Sequence, residues 1–178
     1  LRQTYAAQAE APPAALIGAV ERMLPMLRFF RHQDGNLARF NGVGPTRPDR
    51  IIAILQHDET KGAPLLHAPH SGYERFLQGQ TTVIADTGHT PPLDVSQEAH
   101  AGFLSFEMSS GRHHVIVNCG VDTNGPDEYR PLARATAAHS TAVLNDTSAA
   151  RFAFSGWARD LLGAPMVGGP KKVTCERA

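Results

Sequence analysis

The chain has little of what would staple it covalently or hold it in a membrane. Its two cysteines, Cys119 and Cys175, show no Cys-x-x-Cys spacing and are too few for a disulfide framework, so they read as free thiols. No apolar run approaches the roughly 20 residues that span a bilayer. Charge of one sign is also missing. Seventeen Lys and Arg balance 17 Asp and Glu, which leaves nucleic acid and anionic membrane surfaces unsupported by bulk electrostatics. The sequence has no Gly-x-Ser-x-Gly, no P-loop and no Gly-x-Gly-x-x-Gly, so serine-hydrolase and nucleotide-binding readings have nothing to stand on. Low-complexity tracts, heptads and internal repeats are absent too.

What is present fits one ordinary core. A chain of 178 residues, 42% hydrophobic and 19% charged, is large enough to bury one. Residues 1–10 read as a helix end or loose tail. Pro12-Pro13 then opens a helix in which Ala15, Leu16, Ala19, Val20, Met23 and Leu24 recur at helical spacing. Pro25 is expected to kink or end it, with the pattern carrying on to about Arg31. Asp34-Gly35 marks a turn between Phe29-Phe30 and Leu37–Phe40, and residues 47–55 read as a short helix. Residues 71–77 and 81–86, separated by Gln78-Gly79-Gln80, read as a hairpin with one buried face.

The organising stretch runs from Glu98 to Asp146. Residues 103–108 lead through Ser109-Ser110-Gly111-Arg112 into 114–117, a second hairpin, and 140–144 reads as a further strand. Each run carries one polar candidate, His100, Asn118 or His139. Two imidazoles and an amide beside a sheet can form a metal site or a hydrogen-bonded polar cluster between strands. Beyond it, residues 151–154 read as a short strand or turn, 157–162 as a helical turn, and 172–178 as the start of a strand. Recurring strands with turns between them predict a mainly β chain, an antiparallel β-sandwich preceded by one or two helices.

The ordered motifs His-Ala-x-x-Leu-Ser-Phe-Glu from His100, Val-x-x-Gly from Val117, and Ala-Ala-His-Ser-Thr-x-Val-Leu from Ala137 resemble the central β-sandwich of the heparinase II/III-like proteins. In those bacterial polysaccharide lyases the runs are commonly written HAD-LSF, VDPG and AAHNT. The resemblance extends over residues 24–152. It implies that residues 1–34 close a preceding helical toroid and that 35–178 are a sandwich cut short at its C-terminal end, both termini reading as cuts from a longer parent. It also implies a zinc site with His100 and His139 on the two histidine positions and Asn118 on the aspartate, an acidic polysaccharide or oligosaccharide as partner, and β-elimination beside a uronate carboxylate as the chemistry.

Two residues depart from the family pattern. Asn118 removes an anionic ligand, and Glu98 stands where many members carry a histidine facing the reacting sugar, so Glu98 is the catalytic candidate within this chain. The family's catalytic tyrosine and carboxylate-neutralising groups lie in the toroid, so the fragment alone is expected to be inactive. His70 and Tyr73 are candidate substrate contacts, with a solvated rim loop and a half-buried strand tyrosine as the plainer readings. His67-Ala-Pro-His70 is not a helical ligand pair because of its proline. His113 and His114 point to opposite faces of one strand, and residues 122–127 lack the glycine and glutamate of an EF-hand. A non-catalytic glycan-binding module, or a purely structural β-domain, is the alternative to the lyase.

Overall fold

The computed structural model describes residues 2–57, 62–122, 124–153, 155–157, 161 and 163–176. Three helices come first, α1 (Arg2–Ala7), α2 (Ala14–Phe29) and α3 (Pro48–Gln56). Five strands then form one antiparallel sheet in sequential order: β1 (His67–Ala68), β2 (Tyr73–Gln78), β3 (Thr81–Asp86), β4 (Phe106–Ser110) and β5 (His113–Ile116). A short helix α4 (Tyr129–Ala133) precedes the two-stranded sheet of β6 (Arg151–Phe152) and β7 (Met166–Gly168). The mainly β, antiparallel sandwich architecture with N-terminal helices is therefore as the sequence predicts. No helix among the described residues is long and apolar enough to cross a membrane.

The β2–β3 hairpin turns at Gly79, whose φ of +57° is a conformation that glycine adopts without steric penalty. Register places Arg75, Ile84 and Glu107 in one row across three strands, and Thr82 beside Ser109 in the next. All five side chains are buried, so this face of the sheet is covered. Its cover is the end of α2 and the loop behind it. Phe29, Ala38 and Phe40 pack with Tyr73 and Ile84, and Phe30 sits edge-on to Tyr73 at 4.8 Å. A second core, Ala101, Phe103, Ala150 and Met166, lies under the small sheet.

α2 continues past Pro25 to Phe29, close to where its apolar pattern runs out, while two other local readings are corrected. Its last turn is held from outside, because Arg75 Nη1 donates to the Phe29 carbonyl at 2.6 Å and the Arg31 carbonyl at 3.1 Å. Residues 140–144 are not a strand. A 3₁₀ turn at Thr136–Ala138 is followed by a segment bonded through side chains, with Ser140 Oγ donating to the Phe106 carbonyl and Thr141 Oγ1 to that of Phe103. Hydroxyls competing for backbone carbonyls in this way displace a regular ladder. Residues 172–176 form no strand either, and the helical turn read at 157–162 lies largely outside the described residues.

Phe29 is fully buried at the junction of helix and sheet. Phe29→Ala is expected to destabilise the chain by about 3–5 kcal/mol, and Leu132→Ala, 64% exposed, by no more than about 0.5 kcal/mol. Urea unfolding followed by circular dichroism separates the two.

Candidate functional site

The site begins at an Asn-Gly turn. Asn41 adopts a φ of +51°, which asparagine tolerates better than most residues, and its amide then reaches in two directions. Nδ2 donates to Tyr73 Oη at 3.0 Å, and Oδ1 accepts the His100 backbone N–H at 2.9 Å. A side chain on Gly42 would meet Glu98, since its Cβ would fall 2.8 Å from Glu98 Oε2. This one turn positions Tyr73, Glu98 and His100 together. The three line a cavity of about 240 Å³, with Asp86 at the end of β3 and Phe103 from the second core.

A second cavity of about 200 Å³ shares Glu98 and His100 and adds Asp127, Arg130 and Arg134. Arg134 is a structural clamp. It donates to the carbonyls of Ser96, Ala99 and Ala164, and its guanidinium lies 4.1 Å from the Phe152 ring centroid. The loop carrying Glu98 and His100 is thereby pinned to the small sheet. Arg130 is exposed, with its Nε 3.9 Å from Asp127 Oδ1. His70 stands apart, in a third cavity against α2 lined by Arg22, Pro25 and Met26.

His100 Nδ1 and His139 Nε2 approach to 3.2 Å with their rings nearly perpendicular. His139 Nδ1 donates to the Ala135 carbonyl at 2.8 Å, which leaves the lone pair of neutral His139 on Nε2, facing His100. The rings need a bare backbone beside them: a Cβ on Gly102 would sit 2.6 Å from His139 Cδ2. Burial, then the neighbouring His139 and Arg134, pushes the His100 pKa down to about 3, and burial also lowers that of His139. Both rings are therefore neutral at neutral pH, the form that binds metals. Their separation matches two corners of a tetrahedral shell, whose ligands at about 2.0–2.1 Å stand roughly 3.3 Å apart.

Asn118 is engaged elsewhere. Its Oδ1 accepts from Ser140 N at 2.9 Å, with Ser140 Oγ 3.0 Å away, while the buried Nδ2 makes no hydrogen bond among the described residues. The imidazole pair fits a metal, whereas the amide oxygen is committed to Ser140.

Sequence reasoning missed Asp86, Asn41 and Arg134. Asn41-Gly42 was a readable turn signal, but nothing local shows what its amide would hold. Burial raises the Asp86 carboxyl to about 6, against the Gly88 N–H that favours its charged form. Tyr73 is pushed far above the ordinary phenol range by burial and then by Asp86, so it is a hydrogen-bonding group and no ready proton donor.

These shifts act on stability with opposite signs. Unfolded histidine gains its proton near pH 6.5, but folded His100 only near about 3, so its contribution is complete above 6.5 and is lost as pH falls between those values. The slope is up to about 1.4 kcal/mol per pH unit. Folded Asp86 binds its proton at about 6, above its unfolded value of 3.8, so it penalises folding above 6 and the penalty fades as pH falls to 3.8. Urea midpoints across pH should show His100→Gln flattening the acid loss. Asp86→Asn should raise the midpoint above about pH 7 and leave it unchanged below about pH 4.

Comparison with known proteins gives one consistent frame. The chain is 36% identical over 165 residues to the FtsZ-localized protein C of Caulobacter vibrioides, covering 93% of this chain but only 28% of that relative. Among solved structures, a heparinase III superposes on 80% of the chain with a TM-score of 0.58 at 16% identity, and the heparan sulfate lyase HepC of Pedobacter heparinus on 79% with 0.57 at 19%. The chain spans 27% and 26% of those two chains, and at such identities the likeness is one of fold. Residues 60–177 match the family described as Heparinase II/III-like, C-terminal, and on that match the chain belongs to the heparinase II/III-like family.

Proposed function

We propose that this domain is the sheet wall of a glycan cleft whose parent cleaves uronate-containing polysaccharide by β-elimination. In that parent, residues 1–34 would close the helical toroid and 35–178 form the sandwich. The observation that supports the reading best is the meeting of Tyr73, Glu98 and His100 at one cavity, with Arg130 beside Glu98 and His100 in the next. β-Elimination removes the proton on the carbon next to the uronate carboxylate. The electron pair forms the new double bond and expels the glycosidic oxygen, which takes a proton. The step needs a base, an acid and a cation near the carboxylate. Glu98 is the base candidate on this wall and Arg130 the cation, while the toroid would complete the set. His70 is a rim contact, set apart from the reacting centre.

His100 and His139 would hold a zinc ion here, and the ion would supply local positive charge. The rings orient it through the Ala135 carbonyl and the bare backbone at Gly102. A carboxylate at position 118 would restore the anion of the family pattern. Asn118→Asp is expected to tighten zinc at this pair by about tenfold or more, measured by chelator competition, with His139→Gln abolishing the gain.

A second reading is a non-catalytic glycan-binding module. Two motif positions favour it, Glu98 in place of histidine and Asn118 in place of aspartate, and so does a 36% identical relative named for its localisation with FtsZ. The full-length parent decides between them. Incubation with uronate polymers should release unsaturated, ultraviolet-absorbing ends, and Glu98→Gln should lower the rate at least about 100-fold. Calorimetric binding of the same polymers with no such product establishes the module instead.

A further inference from the structure

The covered face of β4 carries a glutamate and a serine where a sandwich strand usually buries apolar side chains. Glu107 and Ser109, two residues apart, point to the same side. Ser109 pairs with His114 of β5 just after a shift in register, and His32 descends from the loop behind α2. One ligand atom from each of His32, Glu107 and His114 lies within 4.8 Å of the other two. This group is separate from His100 and His139.

Each member is held by a further partner. His32 Nδ1 lies 2.8 Å from Ser109 Oγ, which leaves Nε2 facing Glu107 Oε2 at 3.2 Å. Glu107 Oε1 accepts the backbone N–H groups of Arg39 at 2.9 Å and Asn118 at 3.0 Å, so Oε2 is the oxygen available to an ion. His114 Nε2 stands 2.9 Å from Asp34 Oδ2, and Asp34 is fixed in turn by the backbone and side-chain amides of Asn36. Outer hydrogen bonds of this kind orient the imidazole and carboxylate ligands of metal sites. The separation of 3.2 Å again matches the roughly 3.3 Å between ligands of tetrahedral zinc. His32 and Glu107 are 2% and 0% exposed, while the His114 side chain is 28% exposed and opens a path from solvent.

Ser109, His32 and Glu107 also have the composition of a nucleophilic triad. Ser109 is 1% exposed and lies within a strand, so no substrate can reach its hydroxyl. An ion can reach the group from the His114 side.

We propose that His32, Glu107 and His114 form a divalent transition-metal site. Two imidazoles and one carboxylate suit zinc, and three protein ligands leave a fourth position for water. The ion would tie the loop behind α2 to the β4–β5 hairpin.

The test uses the full chain, stripped with a chelator and then titrated with zinc alone against a chromogenic competitor. His114→Gln removes a partly exposed ligand and is compared with His139→Gln, both checked for folding by circular dichroism. The proposal expects a zinc equivalent that His114→Gln weakens at least tenfold and His139→Gln leaves in place. Cobalt loading of His139→Gln should give tetrahedral visible bands, and these should vanish when His114→Gln is added to it. Zinc uptake unchanged in His114→Gln, or no uptake by the wild-type chain, overturns it. Because the two variants report on different sites, loss of the His100–His139 reading would leave this result standing.

Discussion

The carboxylate of Glu107 is the constraint on which the rest of the domain hangs. It is fully buried in the middle of the main sheet, and a charge there is tolerable only if every lone pair is answered. It answers with three separate parts of the chain. The backbone at Arg39 belongs to the loop that carries Asn41, the backbone at Asn118 leads to the Ser140 segment, and His32 closes the end of α2. Those segments, remote in sequence, thereby share one anchor. Through the Arg39 loop the anchor leads to Asn41, and so to Tyr73 and the main chain at His100. Removing one partner of such a buried group typically costs about 3–5 kcal/mol, more than any exposed ion pair here could supply.

How much of this was legible in the sequence depended on whether the signal was local. The β2–β3 and β4–β5 hairpins were readable because alternation and a glycine turn lie within a dozen residues of each other. Residues 140–144 have the composition of a strand, but Ser140 and Thr141 spend their hydroxyls on the carbonyls of Phe106 and Phe103, and the ladder fails to form. The end of α2 is likewise held from a distance, by Arg75 on the carbonyls of Phe29 and Arg31. Of the candidate site residues, the ordered motifs brought Glu98, His100 and His139 to attention. Asp86 and Arg134 carry no motif. Their character comes from burial and from carbonyls that only the folded chain assembles.

The family relationship and the departures from it can be read together. The fold of the heparinase-type sandwich is retained at low identity, which is what a sheet held by register and by buried backbone hydrogen bonds allows. Chemistry is less tolerant. Glu98 and Asn118 differ in charge from the residues of the motifs they resemble, and the Asn118 amide oxygen is engaged by Ser140. The imidazole pair itself is undisturbed, because its geometry rests on the Ala135 carbonyl and on a glycine rather than on residue 118.

The double grip of Asn41 has a mechanical consequence. One amide holds the phenol of Tyr73 with its nitrogen and the main chain at His100 with its oxygen, and the plane of an amide is rigid. The spacing between the Tyr73 phenol and the His100 main chain is therefore set by the width of one amide group. Tyr73 and His100 line the same cavity, so one side chain outside the sheet fixes two of its walls at once.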